Sequence, residues 1–161
     1  METERRWISS KVLFGAIYEQ LAENRQAVFT VTGMSMWPFL CHGRDQVIVE
    51  KVNSHKIKKG DIVLFQVTQE QYFLHRITKC HAETFESAGD GNFFKDGEFS
   101  FSCVIARVKK VIRPEKTIDC NSLKWRCTVQ IWMWLFPFRK KIVTIWIRYR
   151  KKLQFIKKII F

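Results

Sequence analysis

A chain of 161 residues that is 47% hydrophobic and 14% aromatic is long enough to bury one core and too apolar for a disordered polyelectrolyte, despite a formal net charge of +13. Five cysteines without a CxxC pair, and four histidines (His42, His55, His75, His81) without helical i, i+4 spacing, point to neither a disulfide framework nor a metal centre. No cofactor is expected, and the cysteines read as free thiols in a reducing compartment. The charge is uneven: residues 121–161 hold 11 of the 28 Lys/Arg and no acidic residue, while the first 120 residues are nearly balanced.

Trp7, Val12, Phe14, Tyr18 and Leu21 recur at roughly helical spacing among charged residues, which predicts an amphipathic helix over 5–25 that serves in packing. This first unit, 1–25, carries four acids and no small-residue cleavage site, so it reads as neither signal peptide nor anchor. Beyond it, "QAVFTVT", "DQVIVEKV", "DIVLFQV", "YFLHRIT", "ETFESA" and "FSCVIARVKKVI" are short, rich in Val, Ile, Phe and Thr, and separated by turn formers. They predict a mainly β, antiparallel domain over 26–114. A composition shift near Pro114 to Asn121 opens a basic, aromatic, helical tail over 115–161. Its longest apolar run, Cys127 to Phe138, is about half a membrane thickness and is closed by Pro137 and Arg139-Lys140-Lys141, so it is expected to lie on a bilayer rather than cross one.

The residues that can carry chemistry fall in the β domain. Ser35 sits in "VTGMSMWPFL", between Gly33 and Pro38, where a serine is either a turn residue or a nucleophile awaiting a base. His75 lies inside a predicted strand, where period-two alternation groups it with Phe73 and Ile77; Lys79 shares that face and is a substitute base. Asp90 and Asp96 follow in the glycine-rich stretch "SAGDGNFFKDGE". Singly, each has an ordinary explanation as a turn former or core residue. Together and in this order they do not.

The ordered set Gly33-Met34-Ser35-Met36-Trp37-Pro38, Gly60-Asp61-Ile62-Val63, Leu74-His75-Arg76-Ile77 and Gly89-Asp90-Gly91-Asn92, with Asp96 six residues after Asp90, resembles type I signal peptidases and their LexA-like relatives. The likeness covers roughly residues 26–113. Most bacterial signal peptidases use a Ser–Lys dyad, whereas the endoplasmic-reticulum type, also found in some bacteria, has histidine at the lysine position, as here. The resemblance therefore implies a serine endopeptidase that cleaves a leader or propeptide, with Ser35 as nucleophile, His75 as general base and Asp90 as the acid orienting the imidazole. Asp96 is the second candidate for that role.

It also implies substrates with small side chains at the first and third positions before the cut. Neutral imidazole is plentiful near pH 7, and a carboxylate behind it fixes the tautomer and stabilises the imidazolium. Gly33 lets the backbone bend close to a substrate strand, Pro38 stiffens the loop exit, and Met34, Met36 and Trp37 are expected as apolar walls. Many family members carry a serine where this chain has Gly33, which leaves Thr32 as the nearest hydroxyl for a second oxyanion donor. The family's membrane anchor has no counterpart before Ser35, so the nearest picture is a small, anchorless bacterial member.

The tail interleaves Trp125, Trp132, Trp134, Phe136, Phe138, Trp146, Tyr149, Phe155 and Phe161 with basic residues. That pattern suits an anionic membrane surface first, packing on the β domain second, and nucleic acid least. The alternative from another class is a non-catalytic membrane-surface binding module on the same fold. The free thiols and the lack of an export signal point to the cytoplasm or a peripheral membrane location.

Overall fold

The computed structural model describes residues 10–145, 148 and 149. Helix α1 is Ser10–Ala22; the first turns expected from residue 5, with Trp7, lie outside the described residues. Eight strands follow: β1 Ala27–Thr30, β2 Gln46–Glu50, β3 Ile62–Thr68, β4 Gln71–Cys80, β5 Thr84–Ala88, β6 Gly97–Ser100, β7 Val104–Arg113 and β8 Lys116–Asp119. Helix α2, Leu123–Trp134, comes next, then a single 3-10 turn at Phe136–Phe138 and further helix over 139–145.

The strands form one antiparallel sheet in the order β1-β2-β7-β3-β4-β5-β6, with β8 paired to β7 beside β3's end. The predicted mainly β class with flanking helical segments is therefore the observed one. Two four-residue strands were not expected. β6 lies in what reads as a glycine-rich loop and is held by pairing of Phe99 with Phe85. β8 lies beyond residue 114, in the predicted tail, and pairs back on β7 through a turn at Pro114–Glu115.

Alternation divides the sheet between two cores. In β3, Ile62 and Leu64 enter a core shared with α1, β1, β2, β7 and α2, while Val63 and Phe65 enter a second core with Ile77 and Phe85. Both faces are covered, which is why β3 reads as an unbroken apolar run rather than an alternating one. In β7 the buried residues are Ala106, Val108 and then Val111, a break in period two. The register against β2 shifts there, from Lys110 opposite Ile48 to Val108 opposite Val49, and that bulge resets which face points inward.

α2 begins at Ser122, whose hydroxyl accepts from the Trp125 N–H at 3.4 Å, and it stops just short of Pro137, which restricts the residue before it and cannot donate. Trp125 and Val129 point into the larger core. At about 100° per residue, Leu123, Cys127, Ile131 and Trp134 fall on the opposite side within an arc of about 80°. They face solvent: Leu123 is 80% exposed, Ile131 61% and Trp134 76%, and Cys127 is exposed too. The helix thus has two apolar faces. The packing expectation for the tail holds for the inner one. Among the described residues no helix is long and apolar enough to cross a membrane.

Candidate active site

The serine loop, the Gly89–Asn92 loop, strand β4 and helix α1 meet around Ser35. The serine loop is fastened at its base, where Val31 N–H donates to the Asp45 carbonyl and Gly43 N–H to the Val31 carbonyl, both at 2.9 Å. Gly33 takes φ = +83°, a conformation that L side chains avoid, and its N–H donates to His42 Nδ1 at 3.0 Å. His42 therefore holds its Nδ1 unprotonated in this geometry. Asp45, fully buried, closes the loop by accepting from Cys41 N–H at 2.9 Å and from Arg44 Nε at 2.7 Å. Burial opposes its ionisation, but the Arg44 and Cys41 hydrogen bonds and the charge of Arg113 outweigh it and lower its pKa.

His75 stands on β4 with its neighbours as alternation requires. Phe73 stacks on its ring at 5.1 Å and 6°, and Ile77 lies in the second core. Its Nδ1–H donates to Asp96 Oδ2 at 2.7 Å, and the Ser87 hydroxyl donates to that same oxygen at 2.7 Å. Both side chains of the His75–Asp96 pair are nearly buried, at 6% and 7% exposure, so little water competes with the contact. A neutral imidazole with its proton on Nδ1 leaves Nε2 as the basic nitrogen.

Asp90 is elsewhere, and the expectation that it orients the imidazole is corrected. Arg76, one residue after His75, points to the opposite face of β4 and takes the Asp90 carboxylate with both Nε at 2.8 Å and Nη2 at 2.6 Å. Both are fully buried. The guanidinium also donates to the Gly60 carbonyl at 2.6 Å and lies 4.8 Å above the Phe39 ring. Lys79 is also displaced from its expected face. The β4–β5 register shifts between Ile77 and Lys79, so the alternation that joined Lys79 to His75 is broken, and Lys79 is exposed.

Ser35 and His75 line one cavity of about 140 Å³ together with Thr32 and Met36. Met34 is 57% exposed and neither it nor Trp37 lines that space, so of the three expected apolar walls only Met36 serves as one. The other walls come from residues without a local signal: Leu13 and Phe14 of α1, Phe29 of β1, Leu64 of β3, and Tyr72 and Leu74 of β4. Phe14 stacks on Tyr72 with ring centroids 3.9 Å apart, so the helix expected only to pack also shapes the cavity. A larger groove of about 620 Å³ between α1 and the β3–β4 turn holds no histidine or carboxylate and lies apart from Ser35 and His75.

The Gly89–Asn92 loop ties these parts together. Gly91 N–H donates to the Ser35 carbonyl at 2.7 Å. A Cβ at Gly89 would stand 2.5 Å from that same carbonyl oxygen, and one at Gly91 would stand 3.0 Å from the carbonyls of Met34 and Trp37. Only glycines allow this approach. Behind the loop, Trp132 Nε1 donates to the Asp90 carbonyl at 3.1 Å and Arg139 Nη1 to the Gly89 carbonyl at 3.4 Å. Burial pulls the Arg139 pKa down to about 10, with Asp90 opposing the fall and Arg76 adding to it, so the guanidinium stays charged at neutral pH.

Among the described residues no group of three or more His, Cys, Asp or Glu side chains is placed to hold a metal ion. No family model and no curated protein matches the chain. Its functional reading accordingly rests on this geometry and on the motifs that led to it.

Proposed function

We propose that the chain is a serine endopeptidase of the signal peptidase type that cleaves a leader or propeptide by a Ser35–His75–Asp96 mechanism. The observation that carries this reading is the His75–Asp96 hydrogen bond in a site whose cavity also contains Ser35. His75 Nε2 takes the proton from Ser35 Oγ as Oγ forms a bond to the scissile carbonyl carbon. Asp96, still ionised, stabilises the imidazolium, which returns its proton to the leaving amine as the C–N bond breaks. Water then hydrolyses the acyl-serine by the same route. The Ser35 amide, with Thr32 nearby, is the proposed oxyanion donor.

Two open strand edges support an extended peptide as substrate. Among the described residues β1 pairs only with β2, and β4 pairs with β5 only from Arg76 to Cys80, which leaves the Tyr72–His75 edge unpaired in the sheet. The cavity lies between Phe29–Thr32 and Tyr72–His75, where a third strand can pair through its main chain. The test is a peptidyl p-nitrophenyl ester ending in Ala-x-Ala, whose carbonyl is transferred to the nucleophile with release of p-nitrophenolate. Mass spectrometry of the trapped acyl-enzyme is expected to place the acyl group on Ser35. An unmodified Ser35 peptide, with the chain folded, overturns the reading and leaves the non-catalytic binding module.

The second part of the proposal concerns location: a cytoplasmic or peripheral enzyme seated on an anionic membrane surface, with nucleic acid disfavoured. Support comes from the exposed Leu123, Ile131 and Trp134 face beside exposed Lys124, Lys140, Lys141 and Arg148, in a segment without acidic residues. Removing the tail is the wrong test, because it strips Trp125 and Val129 from the core. Replacing Leu123, Ile131 and Trp134 together by serine spares the packed face. The full chain is expected to co-sediment with phosphatidylglycerol vesicles, less so in high salt, and the triple variant to stay in solution. Equal sedimentation of the two proteins defeats the idea.

A further inference from the structure

We infer that Trp132 and Arg139, far from Ser35 in sequence, are positioning residues for the catalytic site, acting through the Gly89–Asn92 loop. This rests on the peptidase reading above. The loop has two sides. On one, Gly91 N–H holds the Ser35 carbonyl, and the loop and serine backbones are too close for any side chain between them. On the other, consecutive carbonyls, Gly89 and Asp90, are held by Arg139 and Trp132. The chain then runs on to Asp96, whose N–H donates to the Ser87 carbonyl at 2.9 Å and whose carboxylate orients His75. Moving the loop moves the nucleophile's backbone and leads directly into the segment carrying the orienting acid.

Arg139 needs such an account because, among the described residues, no free carboxylate pairs with its charge. It is 1% exposed, yet the buried carboxylate nearby, Asp90, already gives both oxygens to Arg76. Among the described residues its polar and ring contacts are the Gly89 carbonyl, the Trp132 carbonyl at 3.4 Å, and the rings of Trp132 and Phe136 at 5.2 and 4.7 Å. Burying a guanidinium without a paired carboxylate is unfavourable, and an apolar side chain would fill the space at less cost. What an apolar residue lacks is a fork that bridges the loop to α2. Trp132 makes the second bridge with the donor on its indole ring.

The experiment uses the full chain and the Ala-x-Ala p-nitrophenyl ester, comparing Trp132→Phe, Arg139→Lys and Arg139→Met with wild type. Trp132→Phe keeps an aromatic ring and removes the donor; Arg139→Lys keeps charge without the fork. A displaced catalytic group lowers the maximal acylation rate, while the binding edges on β1 and β4 are untouched. Trp132→Phe and Arg139→Met are expected to lower that rate about 10- to 100-fold, with half-saturating ester changed less than about twofold and partial recovery in Arg139→Lys. Rates are normalised to the folded fraction from urea unfolding.

If the folded variants acylate at the wild-type maximal rate, the residues are merely structural and the inference is wrong. A variant whose half-saturation rises while its maximal rate holds overturns it equally. If Arg139→Met does not fold, Trp132→Phe decides alone. Wild type acylated at Ser35 with variants unchanged sinks only this inference, whereas wild type never acylated sinks the peptidase reading and takes this inference with it.

Discussion

Ser35→Ala lowers turnover of the Ala-x-Ala ester by about 10⁶-fold, leaving only what binding and the oxyanion donors supply, if the assigned chemistry operates. The fold should hardly notice. The hydrogen bonds that hold Ser35 and the backbone just after it do not use its hydroxyl: Gly91 N–H to the Ser35 carbonyl, Trp37 N–H to the Met34 carbonyl at 3.1 Å, and Leu40 N–H to the Met36 carbonyl at 2.8 Å. Replacing a hydroxyl by hydrogen leaves them all in place, so the urea midpoint should stay close to that of wild type. Steady-state hydrolysis and urea unfolding of the same preparation measure both. Turnover retained at the wild-type rate would show that the nucleophile lies elsewhere.

The two aspartates should separate cleanly. Asp96→Asn presents an amide to His75 Nδ1 in place of a carboxylate; the amide N–H turned toward Nδ1 selects the tautomer with its proton on Nε2, which cannot take a proton from Ser35. The expected loss is about 10⁴-fold in turnover, with stability largely kept. Asp90→Asn acts on the other face of β4. There it leaves the buried Arg76 guanidinium without its counter-charge, and the expected signature is a destabilisation of about 3 kcal/mol with a far smaller loss of turnover per folded molecule. Both variants are compared at a urea concentration that leaves each fully folded. An inactive Asp90→Asn beside an active Asp96→Asn would return the orienting role to Asp90 against the geometry.

The sequence alone puts Asp90 before Asp96 as the partner of His75, whereas the hydrogen bond goes to Asp96. Period-two alternation is local, and it correctly groups Phe73, His75 and Ile77 on one face of β4. The same rule puts Arg76 on the other face, among Leu74 and the larger core, where a buried guanidinium requires a carboxylate. Two faces, two ionisable groups and two aspartates were therefore all visible in the string. Their pairing was not, because it depends on where the eight-residue excursion between β5 and β6 returns to the sheet. β6, four residues long and held mainly by Phe99 against Phe85 and its ladder bonds to β5, decides that return and brings Asp96 to Ser87 and His75.

The same division runs through the rest of the molecule. Patterns with a period, six of the eight strands, were legible because burial on one face or both imposes their spacing on neighbouring residues, whereas in α1 the helix was legible but not its inner face: Val12 and Tyr18 of the expected stripe are exposed, and Ile17 is buried with Leu21. Bulges are not periodic: one extra residue at each shift turns Lys79 away from His75 and resets β7, and only the partner strand reveals where it falls. α2 has two apolar faces separated by Lys124, Arg126, Thr128 and Gln130, so its composition could not say which one packs. Trp125 and Val129 lie inward and Leu123, Ile131 and Trp134 outward only because Asp119, Ser122 and the β7–β8 hairpin set the helix's rotation at its start. The sequence determined which residues are able to act; the long-range contacts of the Gly89–Asn92 loop, α1 and α2 decided which of them meet, since contacts between residues dozens of positions apart leave no local trace in the chain.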